Sequence, residues 1–303
     1  MRNRIHLLVG IVATLLLTAC DQRADVKILE YSSAPAGTLV PVYRLLPHPL
    51  YNPQTLAKLF QPLVDYLNNH LPDARIELEA SRDYQVFEQK FRAREAEILM
   101  PNPWQTLEAI KVGYGVIAMW GDAEDFKGIF IIRRDSGIQK PGDLNGKAVS
   151  YPSPTALAAA IMPQYYLYQH GININKDVQN RYVGSQESSI MSVYMGDTAA
   201  GATWPPPWRL FQKDHPVEAA QLKLAWETPP LVNNSVMVRG DVPVAVRAGL
   251  KKALLDLHNT PVGKKILADL QTARFHDADD ASYEAVREFI ARFEQQVRPI
   301  ERK

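Results

Sequence analysis

The chain has 303 residues, 34 basic against 33 acidic side chains and 46% hydrophobic residues. So even a charge balance gives no electrostatic footprint for nucleic acid. A single cysteine, Cys20, excludes disulfides and cysteine-based metal sites, and no cofactor or metal motif is present.

Residues 1–19 open with Arg2 and Arg4, run through an apolar stretch from Leu7 to Leu17 and end in Thr18-Ala19 ahead of Cys20. A basic start, an apolar segment and a small-residue cleavage site describe a secretory signal peptide. The cysteine directly after that site resembles the lipobox of bacterial lipoproteins, in which it becomes the lipidated first residue. The apolar run is shorter than the ~20 residues that span a bilayer. Cys20 is therefore expected to be a lipid attachment point at the head of a tether over residues 20–25. Asp21 resembles the signal that keeps some Gram-negative lipoproteins on the inner membrane, so the expected location is periplasmic and lipid-anchored there. Loss of Arg2 and Arg4 with the signal leaves 32 basic against 33 acidic side chains, a net charge of −1.

Val26 to Ser32 reads as a first strand and proline-rich Ala34 to Pro53 as an irregular crossing. Asn52-Pro53 opens a helix whose Leu56, Leu59, Phe60, Leu63 and Leu67 keep the 3.6-residue period until Pro72. Arg75 to Ala80 alternates as a strand, Asp83 to Arg94 is helical, and Glu97 to Met100 is a short buried strand that runs into Asn102-Pro103-Trp104. Val116 to Trp120 and Gly128 to Arg134 are strands on either side of an acidic turn.

At Lys147 to Ala160 a β-branched run breaks at Tyr151-Pro152-Ser153-Pro154 and an alanine-rich helical pattern follows. Ser153 has the chemistry of an N-cap and Pro154 suits the first helical position. The amides of Thr155, Ala156 and Leu157 are then expected to point outward unpaired, at the positive end of a helix, where anions bind. Gly184 to Ser189 forms a second polar turn after a strand from Asp177 to Val183. Ala199 to Thr203 is a strand that meets Trp204-Pro205-Pro206-Pro207-Trp208. After strands at Leu222 to Trp226 and Ser235 to Val238, the pattern is helical to the end.

Alternating strands and helices predict an α/β protein with mainly parallel sheets. Two chain crossings, near Gly121 to Gly128 and Leu224 to Val232, predict two lobes: residues 26–121 with 228–303, and residues 122–227. Polar helix starts beyond strand ends are expected to face one cleft. The candidate ligand-binding residues are Tyr51, Tyr84, Asn102, Trp104, Tyr151, Ser153, Thr155, Gln186, Glu187, Ser188 and Trp204. The hydroxyls and amides among them suit an oxyanion. The aromatic rings suit an alkylammonium by cation–π attraction, with Glu187 as a counter-charge, or else pack in the lobe cores.

Several segments carry a resemblance: Phe60 to Leu67, Asp83-Tyr84, Lys140 to Lys147, Gly184 to Ser188, Pro229, Arg239 to Pro243, and Arg274-Phe275 ahead of Tyr283. In order and wording they resemble the phosphate, phosphite and phosphonate family of periplasmic substrate-binding proteins of ABC transporters. The resemblance implies a type 2, two-lobed Venus-flytrap fold that closes on a small oxyanion and hands it to a membrane permease. A Ser-Thr-Ser-Gly style turn in the family is replaced here by Pro154-Thr155-Ala156-Leu157, and a histidine by Gln186. A monomer is expected. A sensing role, with the same flytrap reporting to a membrane kinase or cyclase, uses the same cleft and stays open. An enzyme is not expected: no metalloprotease, Walker or nucleophile-elbow motif is present, and a hydrolase built on Ser153 or Ser185 has no base paired with it in sequence.

Overall fold

The computed structural model describes residues 40–300. Cys20, the signal segment, the tether and the strand expected at Val26 to Ser32 lie outside the described residues. The described residues form two sheets. The first holds β1 (Val42–Pro47), β2 (Arg75–Leu78), β3 (Ile98–Met100), β4 (Tyr114–Trp120), β10 (Ser235–Arg239) and β11 (Phe275–Asp277), in the order β11-β4-β10-β3-β1-β2. The second holds β5 (Ile129–Arg133), β6 (Ala148–Tyr151), β7 (Gln179–Tyr182), β8 (Ala200–Thr203) and β9 (Leu222–Glu227), in the order β7-β6-β8-β5-β9.

Helices α1 (Pro53–His70), α2 (Tyr84–Arg92) and α3 (Pro103–Lys111) connect the strands of the first sheet. A π-helical turn (Leu157–Ile161) leading into α4 (Met162–Gln169), then α5 (Gln186–Tyr194), α6 (Pro205–Asp214) and α7 (Pro216–Ala220), belong to the second. Helices α8 (Val244–Asp256), α9 (Pro261–Asp269) and α10 (Glu284–Gln296) complete the chain.

Strand β1 falls where the prolines read as an irregular crossing. Pro41 precedes its first residue and Pro47 is its last, so neither ring interrupts the interior of the ladder, and Tyr43, Leu45 and Leu46 are buried. Proline is tolerated at strand ends for this reason.

The two-lobed α/β layering is present, but the sheets are mixed instead of mainly parallel. β1 runs parallel to β2 and β3, and β6 to β7 and β8, while β10 lies antiparallel to β3 and β4, and β5 antiparallel to β8 and β9. The reason is the crossings. The chain leaves the first sheet along β4 and returns along β10, and enters the second along β5 and leaves along β9, so each pair runs in opposite directions.

The two crossings are bonded to each other. Trp120 N–H donates to the Asn234 carbonyl at 2.7 Å, Leu231 N–H to Phe126 at 2.9 Å and Thr228 N–H to Gly128 at 2.8 Å. Gly121 sits between them at φ +89, where a Cβ would stand 2.6 Å from Thr272 Oγ1 and 3.0 Å from Asn233 Nδ2. Only glycine combines that backbone with that space.

Candidate functional site

The parallel strands β1, β3, β6 and β8 all deliver their carboxyl ends to the gap between the lobes, where open α/β sheets bind ligands. Each is followed by a turn: His48 after β1, Asn102 after β3, Ser153 to Ala156 after β6 and Trp204 after β8. His48, Tyr84, Asn102, Phe126, Ala156 to Ala159, Gln186, Trp204 and Asn234 line one cavity of about 10 Å³. That is room for about one water molecule. No lysine or arginine is among the lining residues.

Five helical starts meet there. Tyr84 begins α2, Asn102 caps α3, Leu157 begins the π turn, Gln186 begins α5, and Trp204 stands at the cap of α6. The starts of α2, the π turn and α5 carry unpaired N–H groups and roughly half a positive charge, whereas α6 opens with three prolines that have no N–H and the first amides of α3 are taken by its cap. Convergence of the first three makes a site for negative charge without a side-chain cation. Asn102 illustrates how the caps are built. Its Oδ1 accepts from the Trp104 and Gln105 amides at 3.0 and 3.1 Å, and its Nδ2 is left to donate to the Thr155 carbonyl at 3.1 Å.

The turn after β6 departs from the expectation of an N-cap at Ser153 and a first helical residue at Pro154. Helix begins only at Leu157, as a π turn with Ala156 at the cap position. The Thr155 amide meets Ser153 Oγ at 3.3 Å and the Ala156 amide the Ser153 carbonyl at 3.2 Å, so two of the three expected free amides are already paired. The helical bonds start at Ala160, whose N–H donates to Ala156 at 2.8 Å. Contacts from the first lobe hold the turn in this form: Asn102 on the Thr155 carbonyl, and Arg298 Nη2 on the Pro154 carbonyl at 2.9 Å. The outward amides shift to Leu157, Ala158 and Ala159, and π turns recur at functional sites.

Around the cavity the side chains are neutral and oriented. Thr203 Oγ1 donates to Gln186 Oε1 at 2.8 Å, which turns Gln186 Nε2 toward the Tyr84 hydroxyl at 3.3 Å. The phenol accepts that bond and keeps its own proton to donate. Burial pushes its pKa well above the ordinary phenol range. His48 Nδ1 lies 2.8 Å from the Met100 carbonyl, which only accepts, so Nδ1 carries the hydrogen and Nε2 a lone pair. Burial lowers the His48 pKa to about 4, leaving the ring neutral at pH 7. Asn234 is fully buried and neither Oδ1 nor Nδ2 has a partner. Such an orphaned amide costs about 1–3 kcal/mol.

Of the residues singled out from sequence, the cavity brings together Tyr84, Asn102, Gln186 and Trp204. Ser153 and Thr155 lie behind it: Thr155 Oγ1 donates to Glu88 Oε1 of α2 at 2.6 Å and lies 3.0 Å from Ser153 Oγ. Glu88 also receives Gln105 Nε2 at 3.3 Å and pairs with Arg92 at 3.5 Å, and burial raises its pKa. Tyr51 and Glu187 line a separate pocket of about 100 Å³ with Asp214 and His215, where His215 Nε2 lies 3.3 Å from Glu187. Ser188 belongs to the cap of α5, its amide and hydroxyl both held by Ser185 Oγ. Trp104 is buried in the core of the first lobe and Tyr151 in that of the second.

His48, Glu88, Phe126, Asn234 and the amides of Ala158 and Ala159 are the site residues that sequence reasoning missed. Position after a strand end was the available signal for His48. Asn234 offered only its place before β10, and Glu88 in mid-helix offered none.

The family model described as "ABC transporter, phosphonate, periplasmic substrate-binding protein" matches residues 45–283. A probable ABC transporter phosphite binding protein, PhnD1 of Prochlorococcus marinus (strain MIT 9301), is 27% identical over 186 residues. That match covers 57% of this chain and 63% of that protein, less than two thirds of its length. Among solved structures, a binding protein component of an ABC phosphonate transporter from Pseudomonas aeruginosa superposes with a TM-score of 0.77 at 18% identity, covering 84% of this chain and 87% of the other. PhnD1 of Prochlorococcus marinus in complex with methylphosphonate gives 0.76 at 22% identity, covering 84% and 98%. With a family model matched over most of its length and a two-lobed fold to carry it, the chain belongs to the phosphonate family of periplasmic substrate-binding proteins of ABC transporters.

Proposed function

We propose that this protein binds a small phosphorus oxyanion of the phosphonate, phosphate or phosphite kind between its lobes and delivers it to an ABC permease. The observation that carries this reading is the convergence of the N–H-bearing starts of α2, the π turn and α5 on one interlobe cavity with no cation in its wall. Fixed N–H dipoles bind an anion without a counter-ion, and the roles of Tyr84, Gln186 and Asn102 are to donate from the facing sides. The cavity of about 10 Å³ is smaller than such a ligand, so entry requires the lobes to part about the crossings at residues 121–128 and 228–234 and to close again, the hinge motion of binding proteins. Lobe boundaries at residues 121/122 and 227/228 and attachment to the inner membrane through Cys20 belong to the same reading. So does a binding role in place of catalysis.

Calorimetric titration with methylphosphonate, phosphate, phosphite and an aminoalkylphosphonate tests the assignment, and scattering with and without a binding member of that set tests closure. Binding with a smaller radius of gyration in the complex is expected. No binding by any of the four at millimolar concentration would sink the oxyanion reading. Cys20→Ser should move the protein from the membrane to the soluble fraction, and continued sedimentation with membranes would refute the anchor.

A further inference from the structure

Asn234 is fully buried, lines the cavity and leaves both Oδ1 and Nδ2 without a hydrogen bond. His48, also on the wall, spends Nδ1 on the Met100 carbonyl and has only an acceptor left in Nε2. A site built purely for a bare oxyanion presents donors alone, because every oxygen of the ligand accepts. Here the second-lobe amides and Tyr84 donate, while the first lobe adds two acceptors. On the phosphorus-oxyanion reading above, we propose that the cavity selects a tetrahedral oxyanion that still carries one acidic proton, with His48 Nε2 and Asn234 Oδ1 as the acceptors of its O–H. The ligand is then the singly charged hydrogen phosphonate or hydrogen phosphite. A sulfonate of the same shape, which has no proton to give at neutral pH, is rejected because it sets its oxygens against two lone pairs.

The charges around the site agree with a low ligand charge. His48 faces Tyr84 and Phe87 of α2, with ring centroids at 6.0 and 6.3 Å, and Met100 of β3. The second-lobe turn, Gln186, Trp204, Phe126 and Asn102 bring no charge to it. Glu88, one turn beyond Tyr84 and paired with Arg92, is the carboxylate that bears on the phenol. It disfavours a second negative charge nearby.

The test is titration calorimetry of the full mature protein with methylphosphonate and with methanesulfonate, between pH 6 and pH 9. Methylphosphonate should bind at least about 100-fold more tightly than methanesulfonate, since buried groups left unpaired by an analogue discriminate strongly. Its affinity should fall about tenfold per pH unit above the ligand's own second ionisation, as expected for one linked proton. The same slope in Glu88→Gln assigns it to the ligand, whereas a slope that vanishes in Glu88→Gln overturns the proposal. Asn234→Leu fills the same space without the amide. It should weaken methylphosphonate by about tenfold or more while methanesulfonate, relieved of one opposing lone pair, binds more tightly; a merely structural asparagine would leave the ratio of the two ligands unmoved. Comparable binding of both ligands by the wild type overturns proton selection and leaves the oxyanion reading standing. Binding of neither overturns this inference, and if phosphate, phosphite and an aminoalkylphosphonate do not bind either, the oxyanion reading falls with it.

Discussion

The first-lobe wall of the cavity is made of side chains that can be counted and named: His48, Tyr84, Asn102 and Asn234. The second-lobe wall is main chain at its centre, the turn from Ala156 to Ala159, with Gln186 and Trp204 at its sides. The difference divides the labour. Backbone amides have one fixed polarity and tolerate any residue that leaves room, so the second wall can supply charge complementarity but little discrimination. The first wall mixes donors and acceptors and can discriminate. What the second wall asks of its sequence is small size, which Ala156, Ala158 and Ala159 supply.

The largest effect should therefore come from bulk on the second wall. Ala159 is buried and lines a cavity of about 10 Å³. Ala159→Leu leaves the amide in place but crowds extra carbons into the packed core directly behind the wall, and overpacking costs about 1–3 kcal/mol even without a ligand. Methylphosphonate affinity should fall by more than about 100-fold, equivalent to about 2.8 kcal/mol. Ala159→Gly keeps amide and space, so it should cost about 1 kcal/mol of helix stability and leave affinity within about threefold. Equal losses in both variants, by calorimetry, would mean that the wall works through side chains after all.

The first wall should announce itself through pH. His48 titrates near 6.5 when unfolded and about 4 when buried. As pH falls through that window the unfolded chain takes up a proton that the folded ring refuses, so stability is full above 6.5 and is progressively lost toward 4. The shift corresponds to about 3 kcal/mol. Denaturant unfolding at a series of pH values should show the decline in the wild type and a flatter profile in His48→Gln. A profile identical in both would remove His48 as its source.

This contrast explains what was legible in the sequence. Helices with a clear period and strands bounded by polar turns declared themselves, and residues at the starts of those helices, Tyr84, Asn102, Gln186 and Trp204, line the interlobe cavity because a strand end fixes where the next turn must go. Strand β1 was not legible because its prolines sit at its ends, where they break nothing. His48 and Asn234 act through burial and missing partners, which are properties of the packed molecule and not of their neighbours in sequence. Glu88 reads as a solvated helix charge until Thr155 arrives from the other lobe. Trp104 and Tyr151 stand at the same junctions as true wall residues, yet the cores on which α3 and β6 pack claim them.

The Glu88 contact joins the two walls, and Thr155→Val would break it. The hydroxyl bond of 2.6 Å is the shortest to that carboxylate, ahead of Gln105 at 3.3 Å and Arg92 at 3.5 Å. Losing it leaves a buried carboxylate under-satisfied only when the lobes are together, a cost of about 1–3 kcal/mol. The unliganded variant should therefore have a larger radius of gyration by scattering than the wild type. Thr155→Ser, which keeps the hydroxyl, should restore the compact form. If Thr155→Val scattered like the wild type, the bond would not be holding the lobes.

Tyr151 should give the smallest effect and tests the comparison from outside the wall. It ends β6, directly before the turn that forms the second wall, yet it is fully buried against Tyr182 at 5.8 Å and its hydroxyl has no partner. Burial pushes its pKa far above the ordinary phenol range, so the group stays neutral throughout the working range of the protein. A buried hydroxyl with nothing to bond is a cost, and Tyr151→Phe removes the hydroxyl while keeping the ring. Stability should be unchanged or rise by up to about 1 kcal/mol, and methylphosphonate affinity should stay within about twofold. A loss of affinity near that expected for Asn234→Leu would place the Tyr151 hydroxyl on the ligand and extend the discriminating wall into the second lobe.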